Sequence, residues 1–213
     1  MAARSDYDAN VFINCPFDDQ YEPIFNAIVF AVHDCGYRAR SALEVRDTGE
    51  VRIDKILRLI RESRFGVHDI SRTELDAATE LPRFNMPLEL GLFLGARAFG
   101  SGLQRRKVTL VLERERYSYL KYCSDINGQD PSAHRGDPRV AIELVRDWLS
   151  DHTTADIPSG TFMADRFMTF RRALPAICRS LRKDPKRLTF GDYTRLVVGW
   201  LGENNEVSST RRP

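Results

Sequence analysis

Four short strand-like runs, each separated from the next by a stretch long enough to hold a helix, set the strongest limit on how this chain can fold. Val11 to Cys15 is a short apolar run that ends at Pro16; Arg38 to Leu43 is weaker; Phe65 to Ile70 reads as the third strand, and Val108 to Leu112 is unbroken. Runs that are apolar at every position, rather than at every second one, are what strands covered on both faces require. Between them the period changes. Tyr21 to Cys35 carries Ile24, Phe25, Ile28, Val29 and Val32 at helical spacing and stops at Gly36, a C-terminal cap. Ile53, Ile56, Leu57 and Ile60 form the cleanest amphipathic stripe in the chain. A third helix begins near Pro87, a residue suited to a first turn. In that helix Leu88, Gly91, Leu92, Gly95, Ala96 and Phe99 recur at helical steps and are expected to face the core.

The order is βαβαβαβ. Connections too long for hairpins imply a parallel sheet with helices on both faces. The expected architecture is α/β, a flavodoxin-like, doubly wound parallel sheet of four to five strands with a C-terminal helical extension. At 213 residues the chain holds one such domain, residues 1–150, and an appendage. Residues 151–160 have linker composition, residues 161–203 form the extension, and residues 204–213 are expected to be a disordered tail. Two apolar stripes mark the extension: Met163, Phe167, Phe170, Leu174, Ile177 and Leu181, with a kink or break at Pro175, and then Phe190, Tyr193, Val197, Trp200 and Leu201. Such stripes need a cover, either this domain or another subunit.

The formal net charge of +2 conceals an asymmetry. From Thr161 onward there are eleven Lys or Arg against five Asp or Glu, whereas the rest has 21 against 25. The basic residues lie beside apolar stripes and not among interleaved aromatics, so a solvated helix face is expected and direct contact with nucleic acid is not. Cys15, Cys35, Cys123 and Cys178 are far apart and form no C-x-x-C pair, which suits reduced thiols and a cytoplasmic location. No apolar run reaches the ~18 residues of a membrane span, and the N-terminus has no signal-peptide core.

In doubly wound sheets ligands sit beyond the carboxyl ends of the strands. Those ends carry Cys15-Pro16-Phe17-Asp18, the polar loop Glu44 to Glu50 with Arg46 and Asp47, and His68-Asp69-Ile70-Ser71-Arg72. All are expected to converge where the third helix starts, at Asn85 and Met86. Glu89 falls in what reads as its first turn. There the helix dipole favours an anion, and the residue is either a reactive carboxylate or a glutamate that caps its own helix. Asp69 is either functional or an Asx-turn residue. Strand alternation turns His68 to the face opposite Asp69, as a packing histidine. Arg46 and Arg72 sit where they can clamp a diphosphate, or lie on the surface. Phe17 and Phe84 can stack on a base or be buried. His134, with Asp125 and Asp130, fits no metal-ligand spacing and reads as part of a solvated loop. The glycines at 91 and 95 read as places where the helix approaches the sheet closely. A phosphoacceptor receiver is excluded by strand four, which ends Leu112-Glu113-Arg114 without the required Ser or Thr.

Several of these segments together resemble a Toll/interleukin-1 receptor (TIR) domain. Tyr7-Asp8-Ala9-Asn10-Val11-Phe12-Ile13-Asn14 resembles its opening strand, with Asp18 near its acidic residue. Leu43-Glu44-Val45-Arg46-Asp47-Thr48-Gly49 resembles the loop after its second strand, and Ile60-Arg61-Glu62-Ser63-Arg64 the approach to its third. Glu89-Leu90 stands where enzymatic members keep their glutamate. The chain is also similar to nucleoside deoxyribosyltransferases, through Asp69 and Glu89-Leu90-Gly91 with Gly95-Ala96. The resemblance covers roughly residues 7–112. The lead-in Leu81 to Pro87 lacks the serine and cysteine usual in TIR domains, and Tyr117 to His134 matches neither family.

The resemblance implies an N-glycosidase acting on NAD or a related nucleotide, with Glu89 catalytic. Cys15, Pro16, Phe17, Asp18, Arg46, Asp47, Asp69, Ser71, Arg72, Asn85 and Met86 would surround the substrate. NAD would be substrate and not cofactor, and no metal is implied. The setting would be bacterial immune signalling or NAD depletion, in a homo-oligomer or with a partner protein of a defence system. The alternatives are a non-catalytic TIR-type binding module and a deoxyribosyltransferase-like nucleoside hydrolase or transferase. A neutral nucleoside base would also need a general acid, for which Asp69 or Asp125 are candidates.

Overall fold

The computed structural model describes residues 5–44, 47, 49–72, 84–126 and 130–209. A single turn, α1 (Asp6–Ala9), leads into β1 (Asn10–Asn14), followed by α2 (Glu22–Asp34), β2 (Arg38–Arg40), α3 (Arg52–Glu62) and β3 (Phe65–Asp69). Next come α4 (Asn85–Phe99), β4 (Val108–Glu113), β5 (Ser132–Ala133), α5 (Pro138–Ser150), α6 (Gly160–Ser180) and α7 (Phe190–Ser209). The five strands form one sheet in the order β2-β1-β3-β4-β5, and every pairing is parallel. The doubly wound α/β architecture expected from the strand pattern is the one found. Its fifth strand is only two residues long, Leu112 pairing with Ser132. So short a strand has no period to read in sequence.

Alternation along β1 and β3 sorts the interior into two compartments. Val11, Ile13 and Cys15, with Phe65 and Val67, face α2 and α5 in the main core. Phe12 faces the other way, onto Ile56, Leu59 and Ile60 of α3 and Phe93 of α4. Gly66 is the close contact on that second face. A Cβ there would lie 2.6 Å from His68 Nε2 and 2.8 Å from the Phe93 ring. Both neighbours are fully buried, so Gly66→Ala is expected to cost about 1–3 kcal/mol as an overpacking defect, read as a lower urea midpoint at unchanged m-value.

The C-terminal helices close the first face. Met163, Ala164, Phe167 and Phe170 of α6 and Tyr193, Val197, Trp200 and Leu201 of α7 belong to the same core as α2. Leu174 and Ile177 are only partly buried against it, and Leu181 is exposed. Arg166 pairs with Asp34 at 2.7 Å, and the Tyr193 hydroxyl donates to the Asn26 carbonyl at 3.0 Å. Helix α6 runs through Pro175 without a break. Helix α7 continues to Ser209, into the segment expected to be disordered from 204. Among the described residues no helix is long and apolar enough to cross a membrane.

On the second face the expected stripe of α4 is corrected in part. Met86, Glu89, Leu90 and Phe93 are its buried residues; of the expected stripe, Leu92 and Ala96 pack partly buried against the core, while Leu88 and Phe99 are 55% and 92% exposed. Gly91 has nothing within 4 Å of a would-be Cβ, and Gly95 only its own helix's Phe99 at 3.9 Å. These glycines therefore face away from the sheet. The stripe on α3 shifts by a smaller amount: Lys55, Ile56, Leu59 and Ile60 are buried, and Ile53 and Leu57 are 39% and 37% exposed. Below them the Lys107 ammonium donates to the carbonyls of Ile60 and Ser63, at the end of α3. It lies 4.4 Å from the centroid of the Phe93 ring, and burial pushes its pKa down to about 7.

Candidate active site at the carboxyl edge of the sheet

Two constellations occupy this edge, one per face. The first is centred on Glu89. Helix α4 begins at Asn85 with Phe84 as its cap residue, which contributes no side-chain capping bond. Glu89 is therefore in the second turn and caps nothing, and the first-turn placement read from sequence is corrected. The start of α4 is tied to the end of β1: the Asn14 side-chain amide donates to the Met86 carbonyl at 2.9 Å and meets His68 Nδ1 at 3.0 Å. An amide N–H pointing at Nδ1 makes that nitrogen the acceptor, so the proton of His68 is on Nε2. Burial and the Lys107 charge hold the His68 pKa down to about 3, in keeping with a neutral packing histidine.

Glu89 itself is 6% exposed. Burial pushes its pKa up to about 7, opposed by the charge of Arg52 at the start of α3. The dipole-stabilised anion expected from sequence is thus not what the fold provides; desolvation outweighs it. Among the described residues the carboxyl has no hydrogen-bond or ion-pair partner. Arg52 is the charged group that acts on it. In the loop before α3 Asp47 is exposed and accepts the Gly49 N–H at 2.8 Å, as a turn, while Arg46 is outside the described residues. Asn85 is exposed and Met86 is buried.

The second constellation is on the α2 face, around Asp69. Its carboxylate is fully buried and takes three donors. The Tyr21 hydroxyl reaches Oδ2 at 2.6 Å, His134 Nε2 reaches the same oxygen at 3.0 Å, and the Ser71 N–H reaches Oδ1 at 2.8 Å. His134, read as part of a solvated loop, is instead 1% exposed. Its Nδ1 accepts the Gly136 N–H at 3.0 Å, so its proton is on Nε2, directed at Asp69. Ser71 Oγ lies 3.1 Å from that same Nε2. A nucleophilic triad needs the serine and the acid on opposite ring nitrogens. Here they share one, so Ser71–His134–Asp69 is no triad but a buried scaffold.

In front of the scaffold opens a cleft of about 470 Å³ lined by Gln20, Tyr21, Ile24, Ser71, Arg72, Arg114, His134 and Gly136. Asp18 and Arg72 form a two-pronged ion pair at its rim, which holds the Asp18 carboxyl below its ordinary range. Asp69 is behind this wall and not on it. Replacing Asp69 by alanine leaves the Tyr21 hydroxyl and the Ser71 N–H without an acceptor, and leaves His134 Nε2 only Ser71 Oγ; it is expected to cost about 3–5 kcal/mol. Thermal or denaturant unfolding measures this, and a loss below 1 kcal/mol would show that the network carries little.

The remaining candidates are dispersed. Cys15 is buried; burial, then the charges of Asp69, Glu89 and Asp18, push its thiol well above its usual range. Pro16, Phe17 and Asp18 line a separate cavity of about 220 Å³ against Leu174, Phe190 and Tyr193 of the C-terminal helices. Neither cavity is lined by Glu89. Glu89 is on the α4 face of the sheet and the cleft on the α2 face, with Cys15 between them under the charges of both Asp69 and Glu89. Sequence reasoning missed Tyr21, Gln20, Arg114 and His134. For His134 the nearest signal was Asp137-Pro138, which caps and begins α5 and so fixes the preceding chain against the sheet edge. Among the described residues no group of three His, Cys, Asp or Glu side chains could hold a metal ion. Set against models of known protein families and against curated proteins, the chain matches neither a family model nor a curated protein.

Proposed function

We propose that this chain cleaves an N-glycosidic bond in NAD or a related nucleotide, with Glu89 as the catalytic carboxylate. The observation that carries the reading is Glu89 itself: a buried carboxyl on a rigid helix at the strand ends, with no internal partner among the described residues and a pKa raised to about 7. Burial without a hydrogen bond costs stability, and such a group is a candidate for chemistry. An anion there stabilises the oxocarbenium-like sugar that forms as the bond breaks. NAD is favoured over a neutral nucleoside because its nicotinamide leaves without protonation. The acid a neutral base would need has no good candidate among the described residues, since Asp69 is bound by three donors and Asp125 is exposed. Incubating the protein with NAD and with purine and pyrimidine nucleosides, with chromatography of the products, tests the reading. Free nicotinamide from NAD supports it; release of bases from nucleosides alone favours the transferase-like alternative, and no turnover of either, with NAD still bound, the non-catalytic one.

The resemblance alone carries a place in bacterial immune signalling. Self-association has separate support. Val51, Ile53 and Leu57 at α3 and Leu88 and Phe99 on α4 are all exposed, on the face that carries Glu89. Leu88→Asp is expected to shift an assembly to the monomer on sizing chromatography without lowering Tm, since Leu88 contributes little to the core.

A further inference from the structure

The cleft in front of Asp69 presents donors and few acceptors. Both Asp69 oxygens are fully buried and occupied from inside the fold. The Tyr21 hydroxyl is turned inward on the same carboxylate, and His134 uses both ring nitrogens internally. The Nε2–H of His134 also points at Ser71 Oγ, so that oxygen is an acceptor there and its own proton is left for the cleft. Gln20 Oε1 accepts from Arg72 Nη2 at 3.2 Å, which leaves the Gln20 amide N–H groups outward. Arg72 is held in place by Asp18 and Gln20. The Arg114 guanidinium lies across the cleft beside Gly136 and has no carboxylate partner among the described residues.

Donors thus arrive from three separate chain segments: the approach to α2, the end of β3 and the end of β4. A planar carboxylate is satisfied by one guanidinium fork, whereas a tetrahedral phosphoryl group offers three oxygens to donors from several directions. A volume of about 470 Å³ falls in the range of sites for ligands of nucleotide size. We propose that this cleft binds a phosphoryl group, held between Arg72 and Arg114 with the Ser71 hydroxyl as a third donor. The site goes beyond the glycosidase reading and does not depend on it, because Glu89 is on the opposite face of the sheet.

Calorimetric titration of the full chain with inorganic phosphate, AMP, ADP-ribose and adenosine tests the proposal. The phosphorylated compounds are expected to bind with an affinity that falls as salt rises, and adenosine is not. AMP binding more tightly than inorganic phosphate identifies a nucleotide as the ligand; equal affinities identify free phosphate. Arg114→Ala is expected to weaken binding about ten- to a hundredfold. Because Arg114 is an exposed side chain, the variant should melt as the parent does, and Arg114→Glu should abolish binding. Glu89→Gln should bind phosphate as the parent does even where it has lost all glycosidic cleavage, which separates failure of one idea from failure of the other. Absence of binding by every phosphorylated compound at millimolar concentration, parental affinity in Arg114→Glu, or adenosine binding as well as AMP would each overturn the proposal.

Discussion

Replacing Glu89 by glutamine is expected to remove glycosidic cleavage and to make the protein more stable. The first effect follows from charge. An amide keeps the size of the side chain but cannot stabilise a sugar cation, and the loss should be roughly 10³-fold or more in kcat, beyond what one neutral oxyanion-hole donor supplies. The second follows from linkage. The folded-state pKa of Glu89 is raised from 4.5 to about 7, so between those values the folded state binds more protons than the unfolded chain. Stability therefore falls as pH rises through this window, and above pH 7 the full penalty is present, about 3 kcal/mol at most. Glutamine removes it. The variant should melt with the parent near pH 4 and several degrees above it at pH 8. Parental activity should rise with pH through about 7, as the carboxylate forms. A cationic nicotinamide riboside beside the carboxylate favours the anion, so substrate binding below that pH should release protons. A glutamine variant with parental turnover would end the mechanism, and one that melts lower at pH 8 would show that Glu89 serves the fold.

Ending the chain at Asp156 is expected to abolish folding. Helices α6 and α7 supply Met163, Ala164, Phe167, Phe170, Val197, Trp200 and Leu201 to the main core, four of these at 0% exposure on α6 alone. The face they cover includes Phe30, which meets Phe167 at 5.4 Å, Phe170 at 5.7 Å and Trp200 at 6.0 Å between ring centroids. Each large side chain stripped of its partners forgoes about 1.5–3 kcal/mol, and a domain has only about 5–15 kcal/mol in all. Arg166 would also be lost from Asp34, whose carboxyl burial already pushes up to about 6. The truncated chain should show no cooperative melt and should bind a hydrophobic dye. A soluble truncation with a sharp transition would make the two helices an appendage after all.

The strands were legible in sequence because burial on both faces leaves an apolar signature at successive positions, as in Val11, Phe12 and Ile13, all fully buried. The face of α4 was not. From Leu88 to Phe99 apolar and small residues surround the helix almost completely, so a period of 3.6 fits more than one stripe, and counting Glu89 as polar favoured the wrong one. In the structure Glu89 belongs to the inward row with Met86, Leu90 and Phe93. At the cleft, Ser71 and Arg72 could be found because they immediately follow a strand. Tyr21 and His134 could not: their contacts with Asp69 and Ser71 span 48 and 63 residues, and nothing local marks either residue as polar scaffolding. The buried state of Glu89 was equally hidden, since desolvation depends on how helices pack over a position and not on its neighbours in the chain.

The alternation of β3 has a consequence for how such a chain can diverge. Gly66 and His68 serve one compartment, Val67 and Asp69 the other. Inserting or deleting one residue anywhere between Phe65 and Asp69 would exchange the two sets, driving a carboxylate toward Phe93 and an imidazole toward Tyr21. Descendants of this chain can therefore substitute within β3 but cannot change its length. Gaps in an alignment of true relatives should fall in the connections and never in this strand.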